Sequence, residues 1–274
     1  MAERLNREVK KMSIRMVAVD MDGTFLDDNM QYDREHFARL YAKMKSQGCH
    51  FVVASGNQYY QLKSFFGEID DEISYVAENG AFVMDAGKLL YAAELSEPDV
   101  QKVIQIVQSH PDLGCVMCGL EGAYVLDTVD EENYQFMRLY YHRLNRVAKL
   151  EDVQDQIFKF ALATSPDTES IWEEVLRQEL DGIMVPVTSG HQSIDLILPG
   201  CHKASGIQRL IKLWNLSPEE CAAFGDGGND LEMIKLCKYG YAMANATPKV
   251  LATAKYHTAS NNENGVLTAL DKLL

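Results

Sequence analysis

Apolar runs too short to be helices alternate with amphipathic stretches over the first third of the chain. RMVAVD (15–20) is a continuous apolar run closed by an acid, as expected of a strand buried on both faces. Asp33 stands as N-cap before a stretch that spaces Phe37, Leu40, Tyr41 and Met44 at the helical period, and HFVVAS (50–55) is the next strand. A helix near 58–66 and a strand near 75–77 continue the series. A hairpin through AFVMDAGKLLYAA (81–93) follows, turning at Asp85, Ala86 and Gly87. The same alternation returns toward the C-terminus. IDLILPG (194–200) reads as a strand, and the helix after it places Ala204, Ile207, Leu210, Ile211 and Trp214 on one face. In LSPEE (216–220), Ser217 as N-cap, Pro218 at the first helical position and Glu220 three residues past the cap predict a helix start. CAAF (221–224) is a strand, DLEMIKLC (230–237) a helix and GYAMA (240–244) a strand, with a last helix starting at Thr247 and Pro248.

This β-α-β order predicts an α/β protein with a Rossmann-like, doubly wound parallel sheet. The texture changes between 93 and 192, with acidic helical stretches (130–144 and 167–180) and strands such as FKFALAT (158–164) and GIMVPVT (182–188). The expected organisation is an N-terminal extension at 1–12, a core made of 13–92 and 193–274, and a second α/β domain inserted at 93–192 with short hinges.

Composition narrows the function. A chain of 274 residues with 47% hydrophobic content can fill a substantial core. No stretch approaches the roughly 18 uninterrupted apolar residues of a membrane span, and the polar MAERLNREVKKM lacks the apolar segment of a secretion signal. The expected location is cytoplasmic, with no membrane partner. A formal net charge of −14 makes nucleic acid a poor partner, and any phosphate site must bring its own local cation. Cys49, Cys115, Cys118, Cys201, Cys221 and Cys237 are scattered. The C-x-x-C pair at 115 and 118 lies in an apolar run without a second ligand pair, so inert thiols on a strand are expected.

Candidate chemistry sits at the strand ends. Asp20 closes the first strand, Asp22 follows within the turn at Gly23, and Asp226 follows CAAF in FGDGGND (224–230). If both strands are central in the parallel sheet, Asp20, Asp22, Asp226 and Asp230 converge on one mouth. Such carboxylates repel by about 4 kcal/mol per pair at about 4 Å in an effective dielectric of about 20. A divalent cation relieves this, and all-oxygen ligation with few protein groups suits Mg²⁺. Residues two apart at a breaking strand can both face the mouth, so Asp20 can attack an electrophile while Asp22 handles protons, and a phosphoryl group suits that pair. An Asp before Gly is by itself an ordinary turn residue; the second acidic motif far along the chain is what makes the pair a site. Ser55 and Gly56 offer a hydroxyl and an N–H to phosphoryl oxygens, although SGN by itself reads first as a strand-to-helix cap. Lys203 begins a helix, where the macrodipole disfavours a cation, so an anion should face it.

Taken together, these residues resemble the haloacid dehalogenase superfamily: DMDGTF its first motif, Ser55 its second, Lys203 its third and GDGGND its fourth. ENGA (78–81) and AMANA (242–246) are similar to segments of its Cof-type branch, whose α/β cap (C2 type) lies between the second and third motifs. The likeness extends over the chain after residue 12 to the bacterial broad-specificity sugar phosphatases of that branch. The resemblance implies Asp20 as nucleophile and Mg²⁺ ligand. It implies Asp22 as general acid and then base, with its carbonyl on the metal, and Asp226 as the remaining protein ligand. Asp230 would support the metal waters or orient Lys203, while Met21 (through its backbone), Ser55, Gly56, Lys203 and Asn229 would bind the phosphoryl group. Many members carry Arg after the Ser-Gly or Thr-Gly of the second motif; here it is Asn57, which leaves Lys203 and Mg²⁺ as the main charge compensation.

The expected activity is Mg²⁺-dependent hydrolysis of sugar phosphates through a phosphoaspartyl enzyme, by a monomer or weak homo-oligomer. The inserted domain would close over the sugar, with Glu121, His191 and Gln192 as candidate hydroxyl partners. A phosphomutase, a phosphatase of a nucleotide or of pyridoxal phosphate, and a phosphoacceptor signalling domain are the competing readings.

Overall fold

The computed structural model describes residues 14–165, 168–190 and 193–274; the extension at 1–12 and the candidates His191 and Gln192 lie outside the described residues. Two sheets organise the chain. The first has eight strands: β1 (Met16–Val19), β2 (His50–Ala54), β3 (Ser74–Ala77), β4 (Phe82–Asp85), β5 (Lys88–Ala92), β12 (Cys221–Gly225), β13 (Tyr239–Ala242) and β14 (Tyr256–His257). Their order is β14-β13-β12-β1-β2-β3-β4-β5, parallel from β14 to β3, with β4 and β5 added antiparallel as the expected hairpin. The doubly wound parallel core is therefore present.

Alternate residues of its central strands feed two layers, which is why these strands read as unbroken apolar runs. On one face Val17, Val19, Phe51, Val53 and Phe224 pack with α1 (Arg34–Ser46) and α9 (Gly265–Leu273). On the other, Met16, Ala18, Val52, Val76 and Ala223 meet Ala204, Ile207 and Leu210 of α6 (Lys203–Leu213) and Met233 of α7 (Leu231–Leu236). Asp33 caps α1 by accepting the His36 N–H at 2.9 Å, as expected.

The second sheet is built from β6 (Gly114–Gly119), β7 (Ala123–Leu126), β8 (Leu144–Val147), β9 (Ile157–Ala163), β10 (Val185–Gly190) and β11 (Ser193–Ile197), ordered β10-β11-β9-β6-β7-β8. Helices α3 (Glu97–Ser109) and α5 (Glu169–Glu179) cover one face through Val103, Ile104, Val107 and Leu176. The opposite face, carrying Val116, Cys118 and Phe158, joins the packing of the first sheet, where the rings of Phe158 and Phe82 lie 6.2 Å apart. All six cysteines are free. Burial raises both thiols of the C-x-x-C strand, that of Cys115 to about 12. Among the described residues no helix is long and apolar enough to cross a membrane.

Two expectations are corrected. Residues from 193 onward were expected to rejoin the first sheet, but Ser193–Ile197 pairs antiparallel with both β9 and β10. A short apolar strand ending in Pro-Gly reads alike in either sheet. Its hairpin with β10 keeps it in the second, so the chain returns to the core only through 198–202. The second correction is LSPEE. Its capping box forms, with Glu220 accepting the Ser217 N–H at 3.0 Å, yet only a single 3₁₀ turn (Pro218–Glu220) results. The next residues are already β12, all buried, and sheet burial overrides the helix signal.

Gly240 on β13 shows how tight this layer is, since a Cβ there would overlap the Ile234 carbonyl oxygen of α7. Gly240→Ala is expected to cost about 1–3 kcal/mol by overpacking. A urea unfolding midpoint equal to wild type would show that the strand and helix can separate freely.

Candidate active site

The strand order puts β1 between β12 and β2, so the chain reverses its direction of winding at β1 and leaves a crevice at the carboxyl ends. Asp20 leaves the end of β1, anchored by its N–H to the Phe224 carbonyl at 3.1 Å. Asp226 leaves β12 alongside it, and Ser55 leaves β2 on the other side. Adjacent parallel strands therefore deliver the three motifs to one place.

The turn after β1 explains the residues that follow the two acids. Gly23 has a φ of 70°, and a Cβ there would stand 2.7 Å from Asp226 Oδ2. Thr24 donates its hydroxyl to Asp226 Oδ1 at 2.7 Å, and Asn245 donates its amide to the Gly23 carbonyl at 2.7 Å. Thr24 and Asn245 were not singled out from the sequence. Met21 is buried between the two acids, its side chain in the core.

Lys203 finds the anion that its place at a helix N-terminus calls for. Its Nζ donates to Asp20 Oδ1 and to Asp230 Oδ1, each at 2.6 Å, with only 1% of the residue exposed. Asp230 is wholly buried and uses its other oxygen to accept the N–H groups of Asp226 and Gly227 at 2.9 Å each. It is thus a brace for Lys203 and for the loop that carries Asp226. Carboxylate oxygens of Asp20, Asp226 and Asp230 lie within 4.8 Å of one another.

Charge is short in this cluster. Burial, then Asp230, pushes the Asp20 carboxyl well above the usual carboxylate range, with Lys203 pulling the other way. Burial and Asp230 likewise raise Asp226 to about 6, with the Thr24 hydrogen bond opposing them. Burial works against the charge of Lys203, but Asp20 and Asp230 outweigh it and hold the ammonium raised. One ammonium faces three ionisable acids, so full ionisation leaves two negative charges unbalanced. An all-oxygen set short of two positive charges fits Mg²⁺, with Asp20 and Asp226 as the groups able to hold it.

Asp22 is half-buried, and its Oδ2 accepts the Asn57 amide N–H at 2.6 Å. Ser55 is buried and accepts the Asn57 backbone N–H at 3.1 Å. Gly56 packs where a Cβ would meet Asn79 at 3.1 Å and Asp195 at 3.3 Å. Asn229 donates to Asn79 Oδ1 at 3.2 Å, and Asn79 donates to Asp195 Oδ2 at 2.7 Å. Glu78 and Asn79, in the ENGA segment, both adopt positive φ.

A buried ionic group borders this turn and was not anticipated from the sequence. Lys159 of β9 is 1% exposed and donates to the Gly56 carbonyl at 2.8 Å, with Glu78 at 2.5 Å and Asp195 at 3.6 Å. Burial raises Glu78 and Asp195, with Lys159 opposing it in each. The available signal was a lysine inside the apolar strand FKFALAT, which only buried acids would tolerate. Glu121 sits farther out and exposed; its backbone N–H donates to Asp155 at 3.0 Å.

The fold and this acidic, lysine-braced crevice define an α/β protein equipped for phosphoryl-transfer chemistry. Residues 17–270 match the haloacid dehalogenase-like hydrolase family, and the chain belongs to it. It is 46% identical over 263 residues to the 5-amino-6-(5-phospho-D-ribitylamino)uracil phosphatase YbjI of Escherichia coli, covering 96% of this chain and 97% of that one. The crystal structure of SMU.1108c from Streptococcus mutans superposes with a TM-score of 0.90 at 33% identity, covering 95% and 98% of the two chains. The HAD subclass IIB sugar phosphatase BT4131 shares the fold, with a TM-score of 0.79 at 21% identity and 94% and 98% coverage.

The charge shortage has a measurable consequence. In the metal-free protein Asp226 titrates near 6, against about 4 for an unfolded aspartate, so the folded state binds more protons in that window. Its contribution to stability therefore falls as pH rises through the window. Mg²⁺ held by Asp20 and Asp226 would favour the ionised cluster, so the rise in Tm on adding Mg²⁺ should be larger at about pH 7.5 than at about pH 5. Equal rises at both pH values would contradict it.

Proposed function

We propose that the protein is a Mg²⁺-dependent phosphomonoester hydrolase that acts on sugar phosphates through a phosphoaspartyl intermediate. The observation that carries the proposal is the placement of Asp20 at the switch point, 2.6 Å from a fully buried Lys203 that Asp230 braces. A phosphoryl group entering the crevice meets Lys203, the Ser55 hydroxyl, the Gly56 N–H and the Asn229 amide on its oxygens. The backbone of Met21 would complete the cradle.

An Asp20 oxygen attacks phosphorus as the bond to the leaving oxygen breaks, and the protonated Asp22 gives its proton to the departing alkoxide. Water then attacks the phosphoaspartyl group, Asp22 takes a proton from it, and inorganic phosphate leaves with Asp20 regenerated. Bound Mg²⁺, held by Asp20, Asp226 and the Asp22 carbonyl, would supply the missing positive charge and draw the phosphoryl oxygens into line.

The inserted unit, from about 93 to 197, acts as a cap that shapes the leaving-group side. Arg143 and Gln58 exchange hydrogen bonds at 3.0 and 3.2 Å, and the Arg143 guanidinium lies 3.6 Å from the centre of the Tyr60 ring. Burial, then the negative charge of Asp22, raises the Tyr140 hydroxyl. A second substrate reading is favoured by the 46% identity to a phosphatase named for a phosphoribitylamino pyrimidine: a phosphate on a sugar-alcohol chain whose far end carries a heterocycle.

Phosphate release measured across sugar phosphates, 5-amino-6-(5-phospho-D-ribitylamino)uracil, nucleotides and pyridoxal phosphate, with and without Mg²⁺, separates these readings. Turnover should require Mg²⁺ and be greatest on the sugar phosphates; greatest turnover on the phosphoribitylaminouracil would favour the second reading. Asp20→Asn should remove turnover by at least about 10³-fold while near-UV circular dichroism stays that of wild type. Substantial residual hydrolysis in that variant would refute the nucleophile.

A further inference from the structure

Resting on the phosphoryl-transfer reading above, we propose that Asn57 is the positioning residue for Asp22: its side-chain amide holds the acid carboxyl in the orientation that delivers a proton to the leaving oxygen. Asn57 Nδ2 donates to Asp22 Oδ2 at 2.6 Å, a short bond of the kind made to a charged or strongly polar acceptor.

Asp22 gains placement from this bond. It is half-buried on a turn rather than on a strand, between buried Met21 and Gly23 at positive φ, and a carboxyl in that setting has more than one rotamer available. Proton transfer to a departing oxygen is sensitive to placement, and a misdirected acid loses much of the 10²- to 10⁴-fold, in rough terms, that general acid catalysis supplies. Asn57 follows the Ser-Gly at the end of β2, and the structure turns its side chain to the acid.

Asn57 is also unusually well fixed. Its backbone N–H donates to Ser55 Oγ at 3.1 Å, and its carbonyl accepts the Glu78 N–H at 3.1 Å. The preceding carbonyl, that of Gly56, accepts Lys159 Nζ at 2.8 Å from the second sheet. The turn is thus held by a core hydroxyl, a core amide and an ammonium of the inserted unit. A side chain that merely filled space would not need its backbone pinned from three directions; one that must hold a carboxyl to within a few tenths of an ångström would.

Leaving-group dependence tests this, because para-nitrophenolate departs without a proton and a sugar alkoxide does not. kcat/KM is measured on ribose phosphate and on para-nitrophenyl phosphate for wild type, Asp22→Asn, Asn57→Ala and the isosteric Asn57→Asp. In Asn57→Ala the sugar ester should fall by about 10- to 100-fold while the aryl ester stays within about threefold. Asn57→Asp keeps the shape but replaces the donor with an acceptor, so its sugar-to-aryl ratio should fall at least as far. Any charge effect on phosphate binding cancels in that ratio. A steep drop in the ratio for Asp22→Asn with an unchanged ratio in both Asn57 variants overturns the positioning role and leaves the acid in place. An unchanged ratio in Asp22→Asn overturns the acid itself, and this inference with it.

Discussion

One buried ammonium set against three carboxylates is the constraint on which the rest of the crevice depends. Lys203 satisfies Asp20 and Asp230 directly, and Asp230 in turn fixes the loop bearing Asp226. Removing one partner of a buried ion pair strands the other at a cost of about 3–5 kcal/mol, so each of these residues holds the others to their identity. The imbalance that remains has a sign and a size: two negative charges. Burial magnifies it, and together with Asp230 it raises the carboxyls of Asp20 and Asp226.

Close approach of the acids is a backbone property before it is a side-chain one. Gly23 admits Asp226 to a space that any Cβ would occupy, and the parallel pairing of β1 with β12 aligns Val19 with Phe224 so that both strands end at one level. The same strand pairing explains how acids two hundred residues apart share an environment. Nothing in the loops themselves would bring them together.

Much of this was legible because the chemistry is local in sequence. D-x-D before Gly-Thr, Ser-Gly after a strand, a lysine at a helix start and GDGGND each announce a strand end that departs from ordinary packing, and the described residues gather all four. What escaped was set by partners rather than by pattern. The strand at 193–197 has the same apolar alternation whichever sheet receives it, and only its hairpin with β10 decides. Ser217 and Glu220 made their capping box as read, but burial of the following strand left no room for a second helical turn. Lys159, Glu78, Asp195 and Asn79 are single polar residues in three separate segments, and their meaning exists only where those segments meet. Asn57 was noticed for the cation it lacks, whereas its contact with Asp22 needs the turn geometry to be seen.

That meeting of segments also bears on how the two units work together. Lys159 and Asp195 come from the second sheet; Glu78, Asn79 and Gly56 come from the loops of the first. Beside the apolar contact of Phe82 with Phe158, the seam next to the crevice is therefore ionic. An apolar seam loses its full burial energy when it opens. An ionic one balances Coulomb attraction against the desolvation of its ions, so its net contribution is smaller than the shortness of the contacts suggests. A seam of that kind fixes the turn at Gly56 through charge as well as through packing. It achieves this because the ammonium that fastens the units is also the one that holds the Gly56 carbonyl.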